Sequence, residues 1–345
     1  MVKNSVTAMK KSTKRQLSAD ADDDSSPSKK LKSPDDKCES YVKYHNLLKD
    51  KLSTEFPPDF YTFFEFVRED DVGDAFSTCG LRLTGPYDFL LGNIKEDTQL
   101  SPAQLHLHGR HYYDLPEVTT VVAGGTSGFH IGYFRDDPKD LPGLLVSNKS
   151  HVNGEFSICG DNLFASVHIF CQTLKTKDAQ VSKAVRELSS KIVARSKLLG
   201  YTLDAQPSAV KKRQKSVSAK TFNKIGLVVP MDKSGVGYRE LPNTDRELKQ
   251  LFTKILKAST EEAKNSALDE LDEIITLIQF ANDECDYGMG MELGIDLFTF
   301  GGDRFHGHLT HLLPLAYQLL KRNLYADVLT AHLENRVQEG FISKV

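Results

Sequence analysis

The sequence predicts an α+β protein: an N-terminal antiparallel sheet with helices, followed by a mainly helical C-terminal region. Two patterns predict it. Between residues 81 and 159, short β-branched and aromatic runs are punctuated by glycine turns, as in hairpins. Beyond Pro230, apolar residues recur every three to four positions, the period of helices that bury one face.

Residues 1–38 are expected to be a disordered tail. The first aromatic residue is Tyr41, and the segment is too polar to offset its ordering entropy. Within it, Lys14-Arg15 and Lys29-Lys30-Leu31-Lys32 read as a bipartite nuclear import signal, with Ser26-Pro27 and Ser33-Pro34 as candidate phosphorylation sites. An α+β domain is expected over 41–205. It opens on a helix with Pro58 in its first turn and Phe60, Phe63, Phe64 and Val67 on one face. Strands follow at 81–83, 118–123, 129–134 and 156–159. Asp161 is expected to cap the next helix, and another runs from about Asp178 to the C-capping Gly200. Residues 206–225, with Lys211-Lys212-Arg213-Gln214-Lys215, read as a basic linker. A mainly helical domain over 226–340 completes the chain. Its helices are expected at about 244–259, 260–283, 309–320 and 324–333, with Pro314 as a kink site.

Bulk chemistry narrows the function. Hydrophobic residues are 39% and charged residues 26% of the chain, an ordinary globular balance. Net charge is -3, split between a tail of +3 over residues 1–37 and a body of -6, so a dedicated nucleic-acid binder is not indicated. Five cysteines without a C-x-x-C pair fit a reducing compartment rather than a disulfide framework. No apolar run is long enough to predict a membrane span.

The segment that breaks local rules is Asn282-Asp283-Glu284-Cys285-Asp286. It crowds three carboxylates at the C-terminal end of an expected helix, where the dipole favours cations. Like charges so close also oppose one another. Such breaks mark functional sites, and a carboxylate held in a cleft can act as a general base. An exposed acidic turn is the competing reading, and the residues alone leave both open. Arg239 is a candidate to pair with this turn. Gly288-Met289-Gly290 lacks the spacing of a phosphate loop and is expected to serve close packing around the turn. His106-x-His108-x-x-His111 and His306-x-His308-x-x-His311 leave a third ligand badly placed, so no metal is expected.

Residues 280–298, including Asn282-Asp283-Glu284-Cys285-Asp286-Tyr287-Gly288-Met289-Gly290, closely resemble the histone PARylation factors. So do Gly226-Leu227-Val228-Val229-Pro230, residues 236–242, and Leu312-Leu313-Pro314-Leu315-Ala316-Tyr317 through Asn323-Leu324. Weaker likenesses at Pro58-Asp59-Phe60-Tyr61, Gly85-Pro86-Tyr87-Asp88 and Gly132-Tyr133-Phe134-Arg135-Asp136 extend it over about 41–337. The resemblance implies an accessory factor, not an enzyme by itself. Such factors bind the catalytic domain of DNA-damage-activated poly(ADP-ribose) polymerases and complete a joint active site. NAD is supplied in the partner's site, and the factor supplies a glutamate that takes the proton of an acceptor serine on histones and other proteins. By motif match that glutamate is Glu284. Asp283 matches a position at the joint site and partner contact, Arg239 one that supports it, and Tyr238, Cys285 and Asp286 lie nearby. The resemblance further implies a nuclear protein at damaged chromatin, monomeric when free, with at most weak contact to nucleosomal DNA. Gly235 and Gly307 depart from the family pattern, which has an acidic residue and a lysine there. Two alternatives carry over: a chromatin-binding scaffold without catalytic role, and an autonomous NAD-consuming enzyme, disfavoured because no NAD-cradling motif is visible.

Overall fold

Five short strands and thirteen α-helices alternate along the described chain in a computed structural model that describes residues 34–125, 127–338 and 340–343. The basic clusters and Ser26-Pro27 of the tail lie outside the described residues, as does Ser33. The N-terminal half runs α1 (Pro34–Leu52), α2 (Pro58–Val67), α3 (Asp70–Thr78), β1 (Leu81–Leu83), α4 (Tyr87–Leu90), α5 (Pro102–Leu105), β2 (Val118–Gly124), β3 (Phe129–Phe134), β4 (Leu144–Lys149), β5 (Ser157–Ile158), α6 (Leu163–Thr173) and α7 (Ala179–Leu199). Then come α8 (Ser208–Lys215), α9 (Asp245–Lys257), α10 (Glu261–Asp283), α11 (Gly288–Phe300), α12 (His306–Leu319) and α13 (Asn323–Asn335).

The strands lie in sequence order, β1-β2-β3-β4-β5, every pair antiparallel. The β2–β3 hairpin pairs Val118 with Phe134 and Gly124 with Phe129, and a register shift between Thr120 and Val122 bends it. Phe60, Phe63, Phe66 and Val72 of α2 and α3 pack with Val121, Ile131 and Leu145 of the sheet and Leu163, Phe164 and Leu188 of α6 and α7. A second core gathers α9 to α13 around Leu271, Ile278, Leu293, Phe298, Leu313 and Leu329.

Local chemistry explains the boundaries. Thr244 and Glu247 form a capping box at α9: the Glu247 amide donates to Thr244 Oγ1 at 3.4 Å, and the Thr244 amide to Glu247 Oε2 at 2.8 Å. Gly200 closes α7 at φ 76°, the left-handed conformation of a helix C-cap. Asn162, not the expected Asp161, caps α6, because its Oδ1 accepts the Ala165 amide at 3.0 Å. The strand expected at 156–159 is only β5, and β4 was not anticipated. α12 runs through Pro314 without a break.

Residues 41–205, 206–225 and 226–340, expected as two domains and a linker, all fall within one unit, Ser40–Val345. In the stretch read as a linker, α8 buries Val210 against Val118, Phe134, Val146 and Ile225. Its Arg213 pairs with Asp136 at 2.7 Å. Buried polar bonds also join the halves. The Tyr317 hydroxyl donates to Glu117 Oε2 at 2.8 Å, and Tyr325 Oη donates to the Arg135 carbonyl at 3.0 Å. Such groups need partners once desolvated, so each bond resists separation of the halves.

Candidate functional site

The acidic turn is the hinge between α10 and α11. α10 has an N-cap at Thr260, whose side chain accepts the Ala263 amide at 3.2 Å, and buries Ala267, Leu271, Ile274, Ile278 and Ala281. Its end is a Schellman motif. The Asp286 amide donates to the Ala281 carbonyl at 2.8 Å and the Cys285 amide to the Asn282 carbonyl at 3.0 Å. Glu284 is the C-cap, and Cys285 takes the left-handed position at φ 67°, where glycine is usual. The turn thereby exposes Asp283, Glu284 and Cys285 and buries Asp286.

α11 begins only two residues later and was missed in the sequence because of its glycines. It alters the electrostatics. The acidic residues sit at the unfavourable end of α10 but also at the favourable N-terminus of α11.

The second wall is the loop 228–242. Gly237 is held at both backbone groups: its amide donates to Asp286 Oδ1 at 2.9 Å, and its carbonyl accepts the Gly288 amide at 2.9 Å. Its φ of 136° suits only glycine, and a Cβ there would lie 2.2 Å from the Pro230 carbonyl oxygen. Gly288 faces it across the contact, its own Cβ position 3.0 Å from both Gly237 O and Tyr238 Cδ2. Gly288 thus has the close-packing role expected of it.

Arg239 follows directly. Its guanidinium bonds the Glu284 carboxylate at Oε2 and Asp286 Oδ2, the latter at 2.9 Å. The Glu284 side chain remains 62% exposed and Asp286 only 11%, so Asp286 anchors while Glu284 faces solvent. The bond to Glu284 is the main cause raising the Arg239 pKa. Tyr238 points the other way, its hydroxyl donating to Glu292 Oε2 on α11 at 2.9 Å. Burial raises both partners, Glu292 to about 7. Of the six candidate residues, Arg239, Glu284 and Asp286 form one ion-paired group. Tyr238 lies behind it, Cys285 shapes its turn, and Asp283 ends α10 on the exposed side. Phe280 and Leu277 of α10 are also exposed, at 58% and 45%, making an apolar flank to the turn.

Two supporting residues were not singled out from sequence: Gly237 and Glu292. Glu292 had a signal, because it and Asp296 are carboxylates four apart in an otherwise apolar helix. The departing positions lie in the open. No heavy atom comes within 4 Å of a Cβ position at Gly235 or Gly307, although Gly235 has a φ of +85°.

Several of the motif histidines are held locally. His106 Nε2 bonds the Leu52 carbonyl at 2.8 Å, His108 pairs with Asp88 at 2.7 Å, and His308 with Asp272 at 3.1 Å. Among the described residues, no group of three or more His, Cys, Asp or Glu is arranged to hold a metal ion.

The family model described as histone PARylation factor 1 matches residues 43–336. A protein of that name from Bos taurus is 42% identical over 290 residues, covering 82% of this chain and 84% of its own. One from Mus musculus is 42% identical over 297 residues, 84% and 85% of the two chains. One from Danio rerio is 40% identical over 291 residues, 82% and 83%.

Proposed function

This chain belongs to the histone PARylation factor 1 family, and from that premise we propose that it acts in histone ADP-ribosylation as an accessory factor. It binds the catalytic domain of a DNA-damage-activated poly(ADP-ribose) polymerase and completes a joint active site there, with Glu284 as the general base. The names of its relatives support the histone PARylation role. The observation that carries the residue assignment is the state of Glu284: exposed at the Schellman-capped end of α10, with its carboxylate bonded by Arg239.

The chemistry follows from that placement. NAD is the substrate held by the polymerase. Its bond from ribose C1 to nicotinamide breaks with an oxocarbenium-like transition state, and nicotinamide leaves with the electron pair. Serine is a weak nucleophile unless its proton is removed during attack. Arg239 occupies Oε2 of Glu284, so Oε1 accepts the hydroxyl proton as serine oxygen bonds to C1. Asp283 and the apolar flank at Leu277 and Phe280 meet the partner. The acceptors are serines of histones and other proteins, and the site of action is nuclear chromatin at DNA damage, with the chain monomeric before it binds.

The test is Glu284→Gln. It keeps the side chain's size and an oxygen for Arg239 but removes the base. Polymerase binding is expected to persist, and serine-linked product to disappear. Full serine modification by this variant would reject Glu284 as the base.

A further inference from the structure

We propose that Glu292 is a positioning residue of the joint site, its carboxylate fixing Tyr238 and so setting the adjoining Arg239 against Glu284 and Asp286. This rests on the reading of Glu284 as the base.

α11 is buried over twelve of its thirteen residues, and Glu292 and Asp296 are its only carboxylates. With Gly288 they fall at i, i+4 and i+8, on one face of the helix. That face looks onto the 237–239 loop, since Gly288 meets Gly237 and Tyr238. A carboxylate in such a helix carries a desolvation penalty, and an apolar residue of similar volume is often as stable or more so. Packing therefore gives no reason for Glu292. What it provides is an acceptor, 2.9 Å from the Tyr238 hydroxyl.

The Tyr238–Arg239 pair is consequently held at three points. The Gly237 backbone is clamped by Asp286 and Gly288, the Tyr238 hydroxyl by Glu292, and the Arg239 guanidinium by two carboxylates. Removing the middle hold lets the Tyr238 ring turn and swings the next side chain in the sequence.

The groups facing Glu292 are Tyr238 and Glu240 from the loop and Asp245 from the start of α9. On its own helix Asp296 is its neighbour. Asp296 accepts the Phe222 amide at 2.8 Å and feels Lys249 of α9. Burial, then Asp245 and Glu240, push Glu292 up to about 7, against the downward pull of the Tyr238 bond. The hold on Tyr238 therefore changes from neutral to charge-assisted across neutral pH.

The experiment compares Glu292→Leu, Glu292→Gln, Tyr238→Phe and the Glu292→Leu/Tyr238→Phe double variant. It measures polymerase-dependent serine transfer to histone and the Tyr238 ring carbon signal of the full-length, 13C-tyrosine-labelled chain against pH. Glu292→Leu and Tyr238→Phe should each slow transfer about tenfold. The double variant should be no slower, because both remove the same bond. Glu292→Gln, which keeps a carbonyl acceptor, should retain most of the rate. The Tyr238 signal should titrate near pH 7 in the parent and not in Glu292→Gln, and the thermal midpoint of Glu292→Leu should not fall. Undiminished transfer by Glu292→Leu, additive losses, or a Tyr238 signal blind to both pH and Glu292→Leu would overturn the proposal. If the parent chain yields no serine-linked product, the assignment of Glu284 fails, and the Tyr238 signal alone decides for or against Glu292.

Discussion

Replacing Asp286 with alanine should separate anchoring from catalysis at this site. The Asp286 carboxylate is nearly buried and accepts the Gly237 amide at 2.9 Å while bonding Arg239 at 2.9 Å. Alanine leaves the buried Gly237 amide without its acceptor. Loss of a charge-assisted bond of this kind costs about 2 kcal/mol. At a urea m-value of about 3 kcal/mol/M, the unfolding midpoint falls by roughly 0.7 M. Far-ultraviolet dichroism should stay unchanged, because the Schellman bonds of α10 use backbone groups only. Serine transfer should fall with the midpoint, since Arg239 keeps Glu284 but loses its fixed base. An unshifted midpoint would refute the clamp. A shifted midpoint with undiminished transfer would refute the idea that the clamp positions the site.

Three further outcomes follow from the same contacts. Cys285→Gly should raise stability by about 0.5–1 kcal/mol in urea unfolding, relieving the φ of 67°, whereas Cys285→Val should lower it. Gly294→Val places a Cβ 2.8 Å from Leu313 Cβ, and the forced separation of α11 from α12 should cost about 3 kcal/mol, lowering the thermal midpoint by roughly 6 °C. Burial pushes Glu117 up to about 7. A carboxyl raised this way takes up a proton on folding, so its contribution is full below the unfolded value of about 4.3 and is lost as pH rises through 7. Glu117→Gln should therefore destabilise the chain more at pH 5 than at pH 8, by about 2–3 kcal/mol in urea unfolding.

Elements defined by one face or one cap were legible in the sequence. α10 follows from the apolar face Leu268, Leu271, Ile275 and Ile278, of which Leu271 and Ile278 are fully buried and the other two partly so, and α7 from Gly200, whereas α9 was placed by its start near Thr244 without the Thr244–Glu247 box that fixes it. The Arg239 pairing was legible as opposite charge near three carboxylates. What escaped depended on tertiary context. α11 contains Gly288, Gly290 and Gly294, poor helix formers that are affordable because each lets a neighbour approach: Tyr238, Ile278 and Leu313 in turn. α8 is strongly basic, and nothing in its sequence says that Val210 is buried under the sheet. The left-handed Cys285 was hidden because that position usually carries glycine, so nothing in the residue type announces it. With the turn resolved, Asp286 changes from one acid among three to the anchor of the other wall.

Serine-linked ADP-ribose on histone, made by a DNA-activated polymerase with and without this chain, tests the shared-site claim most directly. Serine-linked product that forms only when the chain is present, and vanishes with Glu284→Gln, is the predicted result. Unchanged products in the presence of folded chain and active polymerase would contradict it, and salt-dependent binding of the chain alone to DNA would then favour a chromatin scaffold.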